Sequence, residues 1–356
     1  MIPVIPRNSH YMQLPREVLI GDNVAPLVGM ALTRLGFHGP ALVVTGHKVI
    51  SIAGDIVLDS LKRAGFKSST IVAENATTSQ VTRVQREIRR LKPDIVVGVG
   101  GGKDIDVAKL SSMKAGRRFV SVPTAASHDG IASPLVSMKG LNRPYSYAAH
   151  APIAIVADTS IIAKSPYRLI ASGCGDVVAK YTAVRDWKLA HRIKNEYYGD
   201  YAAELALMSS RLVMRNASSI RAISDSGIRT LVEALISCGV AMSIAGTSRP
   251  CSGAEHLFSH ALAMIAPKPA LHGEQVGVGT IMCAYLHGGN WQLIKEVMHT
   301  IGGPTTAKEL GIAPEYILEA LTKAHSIRPE RYTILGESGL TKDAARRVAT
   351  ITGVID

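Results

Sequence analysis

Residues 94–110 read DIVVGVGGGKDIDVAKL. A β-branched run through Ile95, Val96 and Val97 meets three successive glycines, Gly100, Gly101 and Gly102, and then a helix-forming stretch beginning near Lys103 or Asp104. At the carboxyl end of a strand, such a turn lets backbone N–H groups approach a phosphate closely, and the helix that follows favours negative charge. The stretch is not the GxGxxG fingerprint, because after Gly98 and Gly100 the third glycine position holds Lys103. It is not a Walker A loop either, since the terminal Gly-Lys-Ser/Thr is missing. The pattern alone is compatible with phosphate or dinucleotide binding and with a tight structural turn.

Outward from this turn, the first 160 residues alternate two kinds of segment. Short β-branched runs at residues 41–46, 69–74, 94–100, 118–124 and 152–158 read as buried parallel strands. Between the earlier ones lie helix-period stretches, one closing at Gly36, one at Gly65 and one running from Ser79 to just before Pro93. This βαβ rhythm predicts a doubly wound parallel sheet. After Asp158 the strand signal ends, and helical stretches follow one another with short Gly or Pro breaks. The predicted architecture is an α/β, Rossmann-like parallel-sheet domain over residues 1–164. An all-helical domain follows over 165–356, with the active site in the cleft between them.

Composition narrows the function classes. The chain has 356 residues, 47% hydrophobic and 19% charged, with no low-complexity tract, as expected of an ordinary folded protein. Its formal charge of +12 admits nucleic-acid, membrane-surface or anionic-substrate partners. Nucleic acid is disfavoured because the basic residues are dispersed and aromatics reach only 5%. The densest basic cluster, RVQREIRRLK at 83–92, reads as the solvated face of a helix whose apolar side is Val81, Val84, Ile88 and Leu91. No uninterrupted apolar run approaches the roughly 20 residues of a membrane span, and the start lacks a secretion-signal core, so a cytoplasmic protein without membrane insertion is expected. Cys174, Cys238, Cys251 and Cys283 form no CxxC pair, which indicates buried small hydrophobes rather than disulfides or a thiolate zinc site.

Two further stretches carry chemistry. SVPTAASHDGIASP, residues 121–134, leaves a strand end in small and hydroxyl residues, among them Thr124, Ser127 and Ser133, and suits the crevice at the carboxyl edge of a parallel sheet. Asp129 in this loop either turns the backbone or faces the cleft. PCSGAEHLFSH, residues 250–260, sets His256 and His260 on one helix face; His272 begins the next helix, and Asp176 lies near another helix start. A catalytic zinc commonly takes three His, Asp or Glu ligands and keeps one position open. Each residue also has an ordinary reading: packed histidines, an N-capping aspartate, and a capping box from Ser252 to Glu255 that starts the helix bearing His256.

Taken together, GVGGGKDIDVAK, SVPTAASHDGIASP, GCGDVVAK, SRPCSGAEHLFSH and HGEQVGVG, in that order, resemble the metal-dependent polyol dehydrogenase superfamily. That superfamily includes glycerol dehydrogenases, iron-type alcohol dehydrogenases and dehydroquinate synthases. HDGIASP and SRPCSGAEH look most like its archaeal glycerol-1-phosphate dehydrogenase branch, and the resemblance covers essentially the whole chain. It implies that the domain over 1–164 binds a dinucleotide and that the domain over 165–356 binds metal and substrate, with zinc on Asp176, His256 and His272 and with Asp129, Asp176 and His260 as the catalytic and substrate-binding residues. It also implies NAD or NADP, with its phosphates on Gly101, Gly102, Lys103 and Asp104, continuing through Ile105 and Asp106. Thr124, Ala125, Ala126, Ser127 and Ser133 complete that site. Lys180 stands where iron-type enzymes use a further histidine, which favours three-ligand zinc. Asp176, where dehydroquinate synthases present glutamate, argues against that branch.

The implied reaction is NAD(P)H-linked reduction of dihydroxyacetone phosphate to sn-glycerol 1-phosphate, the backbone of archaeal membrane phospholipids. The metal polarises the C2 carbonyl and stabilises the forming alkoxide, and His260, Asp129 or a zinc-bound water relays the proton. Arg249, Lys180 and Lys268 are the nearest cations by sequence for a phosphorylated three-carbon substrate. The alternatives are a glycerol dehydrogenase acting on the unphosphorylated polyol and a lyase of the dehydroquinate synthase type. No ribose-reading acid appears about 20 residues after the glycine turn, so NAD and NADP both remain open. The apolar helical half points to a homo-oligomer.

Overall fold

A computed structural model describes residues 12–138 and 147–356. Six strands form one parallel sheet: β1 (Glu17–Gly21), β2 (Ala41–Thr45), β3 (Ser68–Val72), β4 (Ile95–Gly100), β5 (Arg118–Pro123) and, after a short antiparallel pair β6 (Leu135–Val136) and β7 (Tyr147–Ala148), β8 (Ala154–Asp158). Their order is β1-β8-β5-β4-β2-β3, which puts the glycine-turn strand β4 in the interior. Every predicted strand is present. The sequence reading lacked β1, a half-exposed edge strand that pairs with β8 in register from Glu17↔Ala154 to Gly21↔Asp158.

Both faces of the sheet are covered, which is why its strands read as continuous apolar runs rather than alternating ones. Ala41, Val43, Ile95, Val97 and Val99 face helices α1 (Val28–Arg34) and α2 (Asp55–Arg63). Their neighbours Leu42, Val44 and Val96 face α3 (Thr78–Leu91) and α4 (Gly102–Lys114). The period of two along each strand makes that division. Burying each such Val or Leu contributes about 1.5–3 kcal/mol. On α3, Val81, Val84 and Ile88 are buried as the periodicity requires, and the basic residues lie outward.

From Thr159 onward the described chain is helical. The helices are α5 (Thr159–Ala163), α6 (Tyr167–Val178), α7 (Lys180–Lys194), α8 (Asp200–Arg215), α9 (Ala217–Arg221), α10 (Asp225–Ala245), α11 (Ala254–Ile265), α12 (His272–Leu286), α13 (Trp291–Ile301), α14 (Ala307–Leu310), α15 (Pro314–Ile327) and α16 (Lys342–Ile351). Their shared core continues into Ile155 and Ala157 of β8 and into Ala126, Ile131 and Ala132 of the loop after β5. The helices therefore close over the carboxyl edge of the sheet. Among the described residues, α10 alone is long and apolar enough to cross a membrane, with a mean hydropathy of 1.6. Two-thirds of that window is buried inside the fold, against α8, α9 and α6, as in a core helix. All four cysteines are buried and unpaired.

Candidate active site

The glycine turn leaves β4 through Gly100, whose φ of +152° is a conformation suited to glycine. Gly101 caps α4 without any side-chain hydrogen bond, so the first N–H groups of the helix remain open to an anion. Among the described residues nothing lies within 4 Å of a Cβ built on Gly101, whereas one on Gly102 would fall 1.9 Å from His128 Nε2. Lys103 is exposed and donates to the Glu74 carbonyl at 2.8 Å. Asp104 is buried beneath the turn with Oδ1 lacking a hydrogen-bond partner, and burial pushes its pKa up to about 6. Ile105 packs in the core, so its side chain lies away from the turn. Asp106 accepts from Ser137 N at 2.8 Å and, with the buried Lys109, braces the loop after β5: Lys109 Nζ donates to the carbonyls of Gly130 (2.6 Å) and Leu135 (2.8 Å).

That loop lies beside the turn, joined to it where Thr124 N donates to the Gly100 carbonyl at 2.9 Å. Thr124, Ala125, Ala126 and Ser133 are buried there, and Ser127 is half-buried. His128, which the sequence reading passed over, accepts from Gly130 N through Nδ1 at 2.8 Å and lays its ring on Gly102. It ties the glycine turn to Asp129.

Three helices supply the candidate metal centre. Asp176 comes from α6, His256 from α11 and His272 from the first residue of α12, and their ligand atoms all lie within 4.8 Å of one another. His256 Nε2 is 3.3 Å from Asp176 Oδ1. This is close to the edge of a tetrahedron of zinc ligands, roughly 3.3 Å for bonds near 2.0–2.1 Å. Glu255 Oε1 sits 2.8 Å from His256 Nδ1 and orients the ring so that Nε2 faces the cluster. Ser259 Oγ, 3.3 Å from His272 Nδ1, does the same for the second ring. Burial, with His256 nearby, pulls the His272 pKa down to about 3, so this imidazole is neutral and able to ligate. A carboxylate and two imidazoles that converge in this way fit zinc.

The remaining predicted residues gather around the cluster. Lys180, fully buried, reaches Asp176 Oδ1 at 2.7 Å and Asp129 Oδ2 at 2.9 Å, and Asp129 N donates to Asp176 Oδ2 at 2.8 Å. Burial would raise the Asp176 pKa, but Lys180 and His256 outweigh it and hold the carboxyl well below its usual range. His260 stacks on His272 with ring centroids 5.8 Å apart, and burial beside His272 and His256 holds it well below the ordinary histidine value. It is a neutral imidazole beside the cluster.

Two sequence expectations need revision. Ser252 does not cap α11; Gly253 does, and Glu255 accepts from Gly253 N (2.6 Å) and Thr182 Oγ1 (2.7 Å) while it orients His256. Its full burial beside a histidine is the property the capping-box pattern concealed. Arg249 is held by both carboxylate oxygens of Glu196 and by the Tyr332 carbonyl, so it is a structural tie rather than a cation open to substrate. Lys268 is exposed in the α11–α12 connection.

The iron-containing alcohol dehydrogenase family matches residues 19–166. Glycerol-1-phosphate dehydrogenase (NAD(P)+) of Thermococcus kodakarensis is 55% identical over 349 residues, covering 98% of this chain and 99% of that one. The protein of the same name from Pyrococcus furiosus is 56% identical over 346 residues, covering 97% and 100%. Among solved structures, a glycerol dehydrogenase from Schizosaccharomyces pombe shares the fold, with a TM-score of 0.81 at 21% identity, over 97% of this chain and 92% of that one. With more than half of its residues identical along nearly its full length, the chain belongs to the glycerol-1-phosphate dehydrogenase family.

Proposed function

We propose that the protein reduces the C2 carbonyl of dihydroxyacetone phosphate to sn-glycerol 1-phosphate with NADH or NADPH, at a zinc centre held by Asp176, His256 and His272. The observation that carries this reading is the convergence of those three donors, from three helices, beside Asp129 and the glycine turn. When bound, zinc supplies a Lewis acid for the carbonyl oxygen and the nicotinamide supplies hydride. The open N-terminus of α4 and the space above Gly101 suit the cofactor pyrophosphate, with Lys103, Asp104 and the residues from Thr124 to Ser127 around it. Ser133, through its contact with Asp129, supports the same loop.

Lys180 is a positioning residue: its ammonium offsets the paired negative charge of Asp129 and Asp176 and fixes both carboxylates. Asp129 and the neutral His260 are the groups placed to hydrogen-bond substrate hydroxyls and pass a proton to or from them. The last sheet strand ends at Asp158, which supports a division near residue 164 with the cleft between sheet and helices. Phosphorylated triose and reduced nicotinamide are both cytoplasmic reagents, which supports that location. Exposed Tyr201, Met208 and Leu212 share one face of α8 and support self-association.

The test is absorbance at 340 nm with zinc-loaded protein, NADH or NADPH, and either dihydroxyacetone phosphate or dihydroxyacetone, followed by stereochemical analysis of the product. Preference for the phosphorylated ketone, sn-glycerol 1-phosphate as product and loss of rate with a chelator are expected. Preference for dihydroxyacetone would make the protein a glycerol dehydrogenase instead.

A further inference from the structure

Helices α7, α8 and α13 border a cavity of about 670 Å3 that takes no part in the site described above. It is built from side chains at helical spacing: Arg185 and Lys188 from α7, Arg211 and Met214 from α8, Leu293 and Val297 from α13. Small-molecule sites occupy roughly 300–1,000 Å3, and this volume lies within that range. None of the lining residues belongs to the metal cluster, its immediate partners or the glycine turn. The wall is apolar. Val184 and Val297 are buried, and the half-buried Leu207 and Met214 pack against the helical core, while Leu293 stays 42% exposed.

The charge around this wall is one-sided. Arg185, Lys188, Arg211 and Arg215 line the cavity together with one carboxylate, Glu204. Glu204 lies 4.0 Å from Arg211 with both side chains more than half exposed, so the pair neutralises little. Among the described residues, Arg185, Lys188 and Arg215 form no ion pair. Arg185 is instead held in place: its Cζ lies 3.6 Å from the centroid of the Tyr181 ring and Nη1 donates to the Tyr181 carbonyl at 2.7 Å, which leaves its other N–H groups for an anion. Cations grouped around a low-dielectric wall raise the local potential and draw negative charge, and the wall itself draws hydrocarbon out of water. A ligand that satisfies both has an apolar chain and an anionic head. A symmetric contact with a second copy would instead set these cations against themselves.

We propose that this cavity binds a free, single-chain anionic amphiphile, with the chain against Val184, Leu207, Met214 and Val297 and the carboxylate or phosphate head on the arginines. The assignment does not depend on the reaction proposed above. Arg211→Gln combined with Arg215→Gln removes two of the cations, and Leu293→Glu sets a carboxylate against the apolar wall.

The experiment is calorimetric titration of the zinc-loaded full chain with dodecyl phosphate below its micelle concentration, with dodecyl maltoside as the neutral-head control and inorganic phosphate as the chainless one. One-to-one binding of dodecyl phosphate with a dissociation constant of about 100 μM or tighter is expected. Each control should bind at least about tenfold more weakly, and each variant should raise the dodecyl phosphate constant about tenfold. Wild-type affinity in the folded variants, or equal binding of dodecyl maltoside, would overturn the assignment. If Leu293→Glu does not fold, the double arginine variant, altered at two exposed side chains, decides. Sedimentation identifies other occupants. A dimer that Leu293→Glu dissociates, in a protein that binds no amphiphile, would make the cavity an interface between copies and overturn the proposal. Co-sedimentation with phosphatidylglycerol vesicles without one-to-one binding of the free amphiphile would make it a membrane contact and overturn it equally.

Discussion

Asp104 shows how one side chain couples the cofactor turn to stability. Its carboxyl is buried under Gly100, with Oδ1 lacking a hydrogen bond and Lys103 Nζ 3.9 Å away, and burial raises its pKa from 3.8 to about 6. A carboxyl whose pKa is raised by folding favours the folded state in its protonated form, so its ionisation costs stability. That cost is absent below pH 3.8, grows as the pH rises to about 6 and stays constant above. Asp104→Asn is therefore expected to gain stability over wild type across this interval, by on the order of 2 kcal/mol at pH 7. Urea denaturation at several pH values between 4 and 7 checks it; a difference that does not change with pH would refute the assignment. Asp104 was already marked in the sequence as part of the turn, but its burial was not readable, because the atoms that desolvate it come from other strands.

At the scale of elements, two glycines of similar appearance in the sequence do different things. Gly273, in the first turn of α12, lies so close to α6 that an added Cβ would sit 1.8 Å from the Ser172 carbonyl. Gly101 faces open space and has an ordinary φ of −76°. In a helix, Gly→Ala ordinarily stabilises by about 1 kcal/mol. Gly273→Ala is expected to destabilise instead, by about 1–3 kcal/mol, and to weaken zinc binding by displacing His272. Gly101→Ala should leave the melting temperature within about 1 °C of wild type while raising the NAD(P)H dissociation constant tenfold or more, because a methyl group fills the space a phosphate needs. Melting curves and fluorescence titration with NADH separate the two cases. A Gly273→Ala protein as stable as wild type would show that the α6–α12 contact does not set the metal geometry.

For the whole molecule, the candidate metal ligands come from α6, α11 and α12, so an ion that binds there would join parts of the helical core far apart in sequence. Binding to the folded state alone stabilises it by about 2.7 kcal/mol at a hundredfold excess over the dissociation constant. For a chain of this size that corresponds to a melting temperature roughly 4 °C higher than that of chelator-treated protein. Calorimetry of apo and zinc-reloaded samples measures the difference, and Asp176→Asn should abolish it. An increment that survives in the variant would place the stabilising metal elsewhere.

What the sequence determined by itself was local. The five apolar runs, the glycine turn and the helical second half follow from periodicity and turn chemistry, and the family resemblance in the order of motifs pointed to Asp176, His256 and His272, which the fold brings together. The edge strand β1 escaped because none of its residues is fully buried and its partner β8 lies more than a hundred residues away. Only the tertiary structure decided that Glu255 orients a histidine instead of completing a capping box, that Lys180 clamps two carboxylates, and that Arg249 is neutralised by Glu196. The physical reason is common to all of them: a charged side chain's role is set by how far it is desolvated and by which charges share its surroundings. Both are properties of contacts between residues distant in the chain.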